Sequence, residues 1–203
     1  MQKLDFKKSL DSYLAMRGKF RILTVPRLQY LMIDGQGDPN GSAAFKQAIE
    51  ALYPVAYKLK FMSKLQEKDY VVPPLEGLWW ADDMETFRTR DKSAWKWTLM
   101  LLVPEWITQQ MFEDAVKAAT EAKHLDGFSK LRMEWLEEGT CVQTLHVGPF
   151  EAETKTLDDM HKKFIPSHGL KPVKKHHEIY LSDMMRTAPE KLKTILRQPV
   201  VIQ

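Results

Sequence analysis

Two stretches, one in each half of the chain, decide the reading: Gly77-Leu78-Trp79-Trp80-Ala81-Asp82 and Glu178-Ile179-Tyr180-Leu181-Ser182-Asp183. Laid on each other they bring Trp79 onto Tyr180, Gly77 onto Glu178 and Asp82 onto Asp183. The runs that follow agree in their punctuation, Met100-Leu101-Leu102-Val103-Pro104 falling on Ile195-Leu196-Arg197-Gln198-Pro199. Working outward, each stretch is preceded by the same order of signals. In the first half an apolar run, Tyr30 to Ile33, stops at Gly35, and Ala44, Phe45, Ala48, Ile49 and Leu52 then share one helical face. In the second half, strands at Leu131 to Leu136 and Cys141 to Val147 reach the Gly148-Pro149 turn, and a helix carrying Leu157, Met160 and Phe164 follows. The pattern predicts an α+β fold made of two strand-helix-strand-strand modules with a groove between them.

The boundaries follow from the same punctuation. Residues 1–19, where Leu4, Phe6, Leu10, Tyr13 and Leu14 recur at helical spacing, read as an N-terminal helical arm, an appendage to a single domain over 20–203. Repeat one occupies about 20–106, with strands on both sides of Pro26, and repeat two about 130–203. A linking amphipathic helix at 107–124 lies between them. Pro54 is expected to break or kink the first repeat's helix.

Composition excludes several classes. The 203 residues are 28% charged and 44% hydrophobic, which is the balance of a globular protein with a sizeable core. A net charge of +3, spread along the chain rather than gathered into a stripe, argues against a nucleic-acid binder. The apolar run Leu99 to Val103 is too short to cross a bilayer, and the N-terminus has no signal-peptide pattern, so the expected location is the cytoplasm. A single cysteine, Cys141, fits a reducing compartment and rules out a cysteine zinc cluster.

Most chemical motifs are missing. The glycines of Gly35-Gln36-Gly37-Asp38-Pro39-Asn40-Gly41 have the wrong spacing for a dinucleotide loop, and Pro39 removes a donor, so a turn and helix start is the better reading. His176 and His177 are adjacent on a strand and point to opposite faces, and no other histidine pattern suggests a metal. There is no nucleophile elbow. No cofactor is expected.

What remains is the strand His177-Glu178-Ile179-Tyr180-Leu181. Glu178 and Tyr180 share one face, and if Ile179 and Leu181 face the helices, the first pair lines the opposite, groove-side face. A carboxylate among aromatic walls binds a cation, or acts as a general base when burial raises its pKa. Trp95 and Trp97 share a face of the neighbouring strand with Leu99 and Leu101. Either all four pack under the helices, or the tryptophans join Trp79 and Tyr180 as an aromatic cage.

Thr144-Leu145-His146-Val147-Gly148-Pro149-Phe150-Glu151, then His177 to Asp183, Pro189-Glu190-Lys191-Leu192-Lys193-Thr194 and Pro199-Val200 resemble the GyrI-like small-molecule-binding domain. This domain also forms the effector-binding part of multidrug-sensing regulators. The first half resembles stand-alone bacterial members of about this length. The resemblance implies the duplicated fold, with Glu178 at the centre of the groove. It extends to a subset that hydrolyses cyclopropanoid DNA alkylators for cellular protection, and this chain is similar to that subset in length and tryptophan content.

The reading that follows is a hydrolase adding water to a strained cyclopropane. Glu178 would be the general base, Tyr180 would orient it, and Trp79, Trp97 and Phe150 would hold a flat, hydrophobic aromatic ligand. A drug-sequestering binder and an inhibitor acting on a partner protein are the alternatives. No nucleic-acid or membrane partner is expected. The internal duplication favours a monomer, with an exposed edge strand leaving a dimer open.

Overall fold

A computed structural model describes residues 3–39, 41–82 and 92–203. Among these the strands are β1 (Arg21–Val25), β2 (Leu28–Gln36), β3 (Glu76–Trp80), β4 (Lys96–Val103), β5 (Arg132–Leu136), β6 (Gly139–Val147), β7 (Leu170–Pro172), β8 (His176–Tyr180) and β9 (Lys193–Ile202). The helices are α1 (Phe6–Ser9), α2 (Ala43–Leu65), α3 (Gln109–Ala122), α4 (Glu153–Asp159) and α5 (Ile165–Ser167), with a π-helical turn, Met160–Phe164, joining the last two. The fold is α+β, as the sequence pattern predicts.

The chain divides into two compact units. The first takes Met1–Ser9, Leu28–Pro73 and Gly77–Leu136, and the second takes Leu10–Arg27, Pro74–Glu76 and Glu137–Gln203. In the first, the strands lie in the order β3-β4-β2-β5, and β2 pairs antiparallel with β4 and β5. In the second the order is β1-β6-β9-β8, antiparallel throughout, with β7 also paired to β9.

In the first unit, register sets Ile33 beside Leu99, Leu31 beside Leu101 and Gly35 beside Trp97. Directly opposed residues share a face, and this face is the one covered by α2. A Cβ on Gly127 would lie 2.8 Å from Ala51 of α2 and 3.9 Å from Ile33. Trp97 reaches Phe45 of the same helix edge to face, with ring centroids 5.2 Å apart. Of the two readings of this strand, packing under the helix is the one that holds for Trp97, which is 1% exposed.

α2 runs unbroken through Pro54. A mid-helix proline costs about 3 kcal/mol through the lost donor and the clash with the preceding turn. Burial of Ala51, Leu52, Val55, Ala56 and Leu59 offsets that cost. α3 starts as expected, the Thr108 hydroxyl accepting from the Met111 N–H at 3.2 Å.

The N-terminal segment is not an appendage. In the first unit the backbone of Leu4 bonds Asp69 and Val71, and Phe6 is buried. In the second, Ser12 and Tyr13 are buried. The Gly35 to Gly41 stretch forms a turn, as the sequence suggests, with the Gly37 N–H donating to the Trp95 carbonyl at 2.8 Å and Ser42 opening α2. Asn40 lies outside the described residues. β7 had no signal in the sequence beyond the Gly169 and Pro172 breakers.

A Cβ on Gly35 would fall inside the Trp97 ring. Gly35→Ala is therefore expected to cost about 1–3 kcal/mol by overpacking. Urea unfolding would read this as a lower midpoint with an unchanged slope.

Candidate functional site

The two faces of β8 carry different chemistry. Register sets His177 beside Arg197 and Ile179 beside Ile195 on one face, and Glu178 beside Leu196 and Tyr180 beside Thr194 on the other. Leu196 packs with Val142 against Met160 and Ile165 of the α4–α5 segment. Glu178 and Tyr180 therefore lie on the helix-covered face, and the expectation that Ile179 takes that face is reversed. Ile179 and His177 instead occupy the face covered by the residues around Ser12.

That second face is an ionic network. His177 Nδ1 lies 2.9 Å from Glu138 and its Nε2 2.9 Å from Glu76, and Arg197 donates to Glu138 at 2.8 Å, to Gln143 at 3.0 Å and to the Ser12 carbonyl at 2.6 Å. Tyr13 donates to Glu76. Burial opposes charge on His177, but the Glu138 carboxylate and hydrogen bonds to Glu138 and Glu76 outweigh it and raise its pKa. Burial likewise opposes charge on Glu138, and the charges of His177 and Arg197 bring it down to about 2. Groups this buried and this well paired hold the fold together, and their removal is costly.

The helix-side face is built otherwise. The Tyr180 hydroxyl donates to Glu178 Oε2 at 2.8 Å, and the Phe150 ring meets Tyr180 edge to face at 5.9 Å. Glu178 keeps 14% of its side chain exposed, enough for access. His176, on the same face, places Nε2 3.7 Å from Glu178 Oε1, and its ring stands 6.4 Å from that of His161. Burial lowers both histidines, His176 to about 3, so both are neutral at pH 7. His146 shares the face, cross-strand from Thr194. Its Nε2 lies 3.2 Å from the Pro149 carbonyl, and burial lowers its pKa as well.

Glu153, at the start of α4, completes this face, and the sequence analysis did not find it. It is 5% exposed and hydrogen-bonded to Thr194, while its Oε1 has no partner. Burial, and next the charge on Glu178, push its carboxyl up to about 10. A protonated carboxyl thus stands beside Glu178, a pattern typical of acid and base roles.

The other candidates are placed as follows. Trp79 is 5% exposed, stacked on Phe45 at 6.1 Å and edge-on to Trp95 at 6.0 Å. These rings form an aromatic cluster on the α2 side of the first unit. Trp97 is a wall behind Phe45 rather than a ligand platform, a correction to the role expected of it. Phe45 was legible only as a helix-face residue. Cys141 is fully buried, and burial pushes its thiol up to about 12, so it is not a nucleophile. Among the described residues no metal-binding cluster exists and no helix is long and apolar enough to span a membrane.

The opposite character of the two faces gives opposite pH responses. Glu138, depressed from 4.5, contributes stability that is lost as pH falls toward about 2, and His177, raised from 6.5, contributes stability that is lost as pH rises through its folded value. Glu153, raised from 4.5, costs stability increasingly as pH climbs toward about 10. Thermal melts should show His177→Ala destabilised by about 3–5 kcal/mol near pH 6. Glu153→Gln should match the wild type at pH 4 and exceed its Tm at pH 8.

A model of the GyrI-like small molecule binding domain matches residues 18–201. An uncharacterized conserved protein from Listeria innocua is 42% identical, with 98% of this chain and 100% of that one covered and a TM-score of 0.89. A structure described as a hydrolase from Listeria innocua is 41% identical over the same shares, with a TM-score of 0.84. The EcmrR C-terminal domain, 8% identical over 91% of this chain and 98% of that one, shares the fold with a TM-score of 0.57. No curated protein matches. A family match over residues 18–201, nearly the whole length, shows that the chain belongs to the GyrI-like small-molecule-binding family.

Proposed function

We propose that the helix-side face of β8 binds a flat aromatic electrophile and that Glu178 activates water there to open a strained cyclopropane ring, which makes the protein a hydrolase protecting the cell from cyclopropanoid alkylators. The observation that carries the reading is the 2.8 Å bond from Tyr180 to Glu178 Oε2, which orients a partly accessible carboxylate on this face. The relative described as a hydrolase, at 41% identity, supports the reaction class.

The step balances with one water. Glu178 takes a proton from water as its oxygen attacks the less substituted cyclopropane carbon. The carbon–carbon bond breaks, its electron pair moves through the dienone to the carbonyl oxygen, that oxygen takes a proton from solvent to become a phenol, and Glu178 gives its proton back to solvent. Ring strain and aromatisation drive the reaction, so the protein needs to supply position and a base. Tyr180 fixes the carboxylate, and the Phe150 edge borders the same face.

General-base catalysis is worth about 10²–10⁴-fold. With a spirocyclopropyl cyclohexadienone as substrate and mass spectrometry as readout, Glu178→Gln should lower turnover by at least about a hundredfold while still quenching tryptophan fluorescence on binding. Tyr180→Phe should lower kcat about tenfold with little change in KM. A second reading, sequestration of cationic drugs, rests on the same carboxylate beside an aromatic edge. Binding by the wild type without any product would favour it and remove the hydrolase assignment.

A further inference from the structure

The outward side of α2 carries residues that the fold does not need there. Each helical residue turns by about 100°, so Glu50, Tyr53, Tyr57, Phe61 and Lys64 fall within about 40° of a single line along the helix. The buried residues Ala48, Leu52, Val55 and Leu59 lie on the opposite side. The outward line of such a helix normally carries charged and polar groups. Here its middle is a row of three aromatic rings at spacing i, i+4, i+8, with centroids 6.5 Å apart from Tyr53 to Tyr57 and 6.4 Å apart from Tyr57 to Phe61. Tyr57 is 46% and Phe61 57% exposed, and Leu65, the last residue of the helix, is 87% exposed. The ends of the row differ in charge. Glu50, with 40% of its side chain exposed, precedes the aromatic residues, and the exposed Lys64 follows them. Contiguous exposed aromatic side chains flanked by charge have the composition of an interface.

We propose that this row is the contact between two copies of the chain, their α2 helices packed antiparallel about a two-fold axis at Tyr57. Such an axis carries each position before Tyr57 onto the position equally far after it in the other copy. Tyr57 then meets Tyr57 of the other copy, Tyr53 meets Phe61, Glu50 meets Lys64 and Ile49 meets Leu65. Every ring finds a ring, and the charge at each end finds its opposite. Parallel pairing would set Glu50 on Glu50 and Lys64 on Lys64, which is repulsive at both ends. The next pair outward, Lys46 with Lys68, does not form. Lys68 lies past the end of α2 and turns over the Trp106 ring at 5.9 Å, and Lys46 stands 3.9 Å from Glu50 of its own helix. The exposed parts of Tyr57, Phe61 and Leu65 come to about 300 Å² per copy. Even with the stems of Glu50 and Lys64 added, the covered area stays below the roughly 1,200 Å² of a stable interface, so the dimer is reversible, with a Kd on the order of 100 μM. The inference is independent of the proposed hydrolysis.

Sedimentation velocity between about 10 μM and about 1 mM measures the association directly, and the wild type is expected to pass from monomer to dimer across that range. Glu50→Lys and Lys64→Glu each put like charges at both ends of the contact, and each should weaken the dimer at least about tenfold. In a mixed dimer of these two variants both ends are again of opposite charge. Their equimolar mixture should therefore associate at least about tenfold more tightly than either variant alone, a recovery that a loss of folding cannot produce. Both positions are on the solvent side of α2, so thermal melts should show the variants folded. A wild type that stays monomeric up to about 1 mM overturns the proposal. So does a dimer that neither substitution weakens, or a mixture no tighter than its components. Wild type that remains monomeric but co-sediments with phosphatidylglycerol vesicles also overturns it, and gives the row to a lipid surface instead.

Discussion

The imidazole of His177, held at 2.9 Å by a carboxylate on each ring nitrogen, is the contact on which the second unit depends. It ties β8 to Glu138 ahead of β6 and to Glu76, and through Glu138 to Arg197 on β9. A strand has only two faces, so committing His177 to this network commits Glu178 and Tyr180 to the other one. A slip of one residue in the β8–β9 register would bury Glu178 in the network and turn His177 toward the helix. The ionic cluster is therefore what aims the candidate base.

The contrast between the faces is a division of labour. On one, two carboxylates, an imidazole and a guanidinium are drawn together, and the pKa values of His177 and Glu138 move toward keeping their charges. On the other, burial and mutual repulsion move Glu153, His146, His161 and His176 toward losing charge. The first arrangement adds to stability near pH 6, and the second subtracts from it at neutral pH. Sites that work against stability in this way are where chemistry is commonly done. A partly accessible carboxylate with a buried carboxyl acting on it is what supports the proposed site on that face.

Much of this was legible in the residues. Glycine and proline punctuation marked most strands and the helices within a few positions, because turns demand those residues for backbone reasons that hold in any fold. Period-two alternation put Glu178 with Tyr180 and His176 opposite His177. Alternation cannot say which face a helix covers, and Ile179 proved the poorer guide than Leu196 two strands' worth of sequence away. Trp97 could not be assigned from its own strand, since its place is set by the missing side chain of Gly35 across the register. Glu153 follows Glu151 in a run that looks like the acidic first turn of an exposed helix. Only the tertiary approach to Thr194 and Glu178 distinguishes it.

The most direct test of the central claim, that function resides on the helix-side face of β8, is carboxyl-carbon NMR of the glutamates with and without a bound flat aromatic ligand. The account predicts ligand-dependent shifts at Glu178 and Glu153, with the signals of Glu76 and Glu138 unmoved. Shifts at Glu76 and Glu138 with Glu178 silent would contradict it, and would transfer the function to the ionic face.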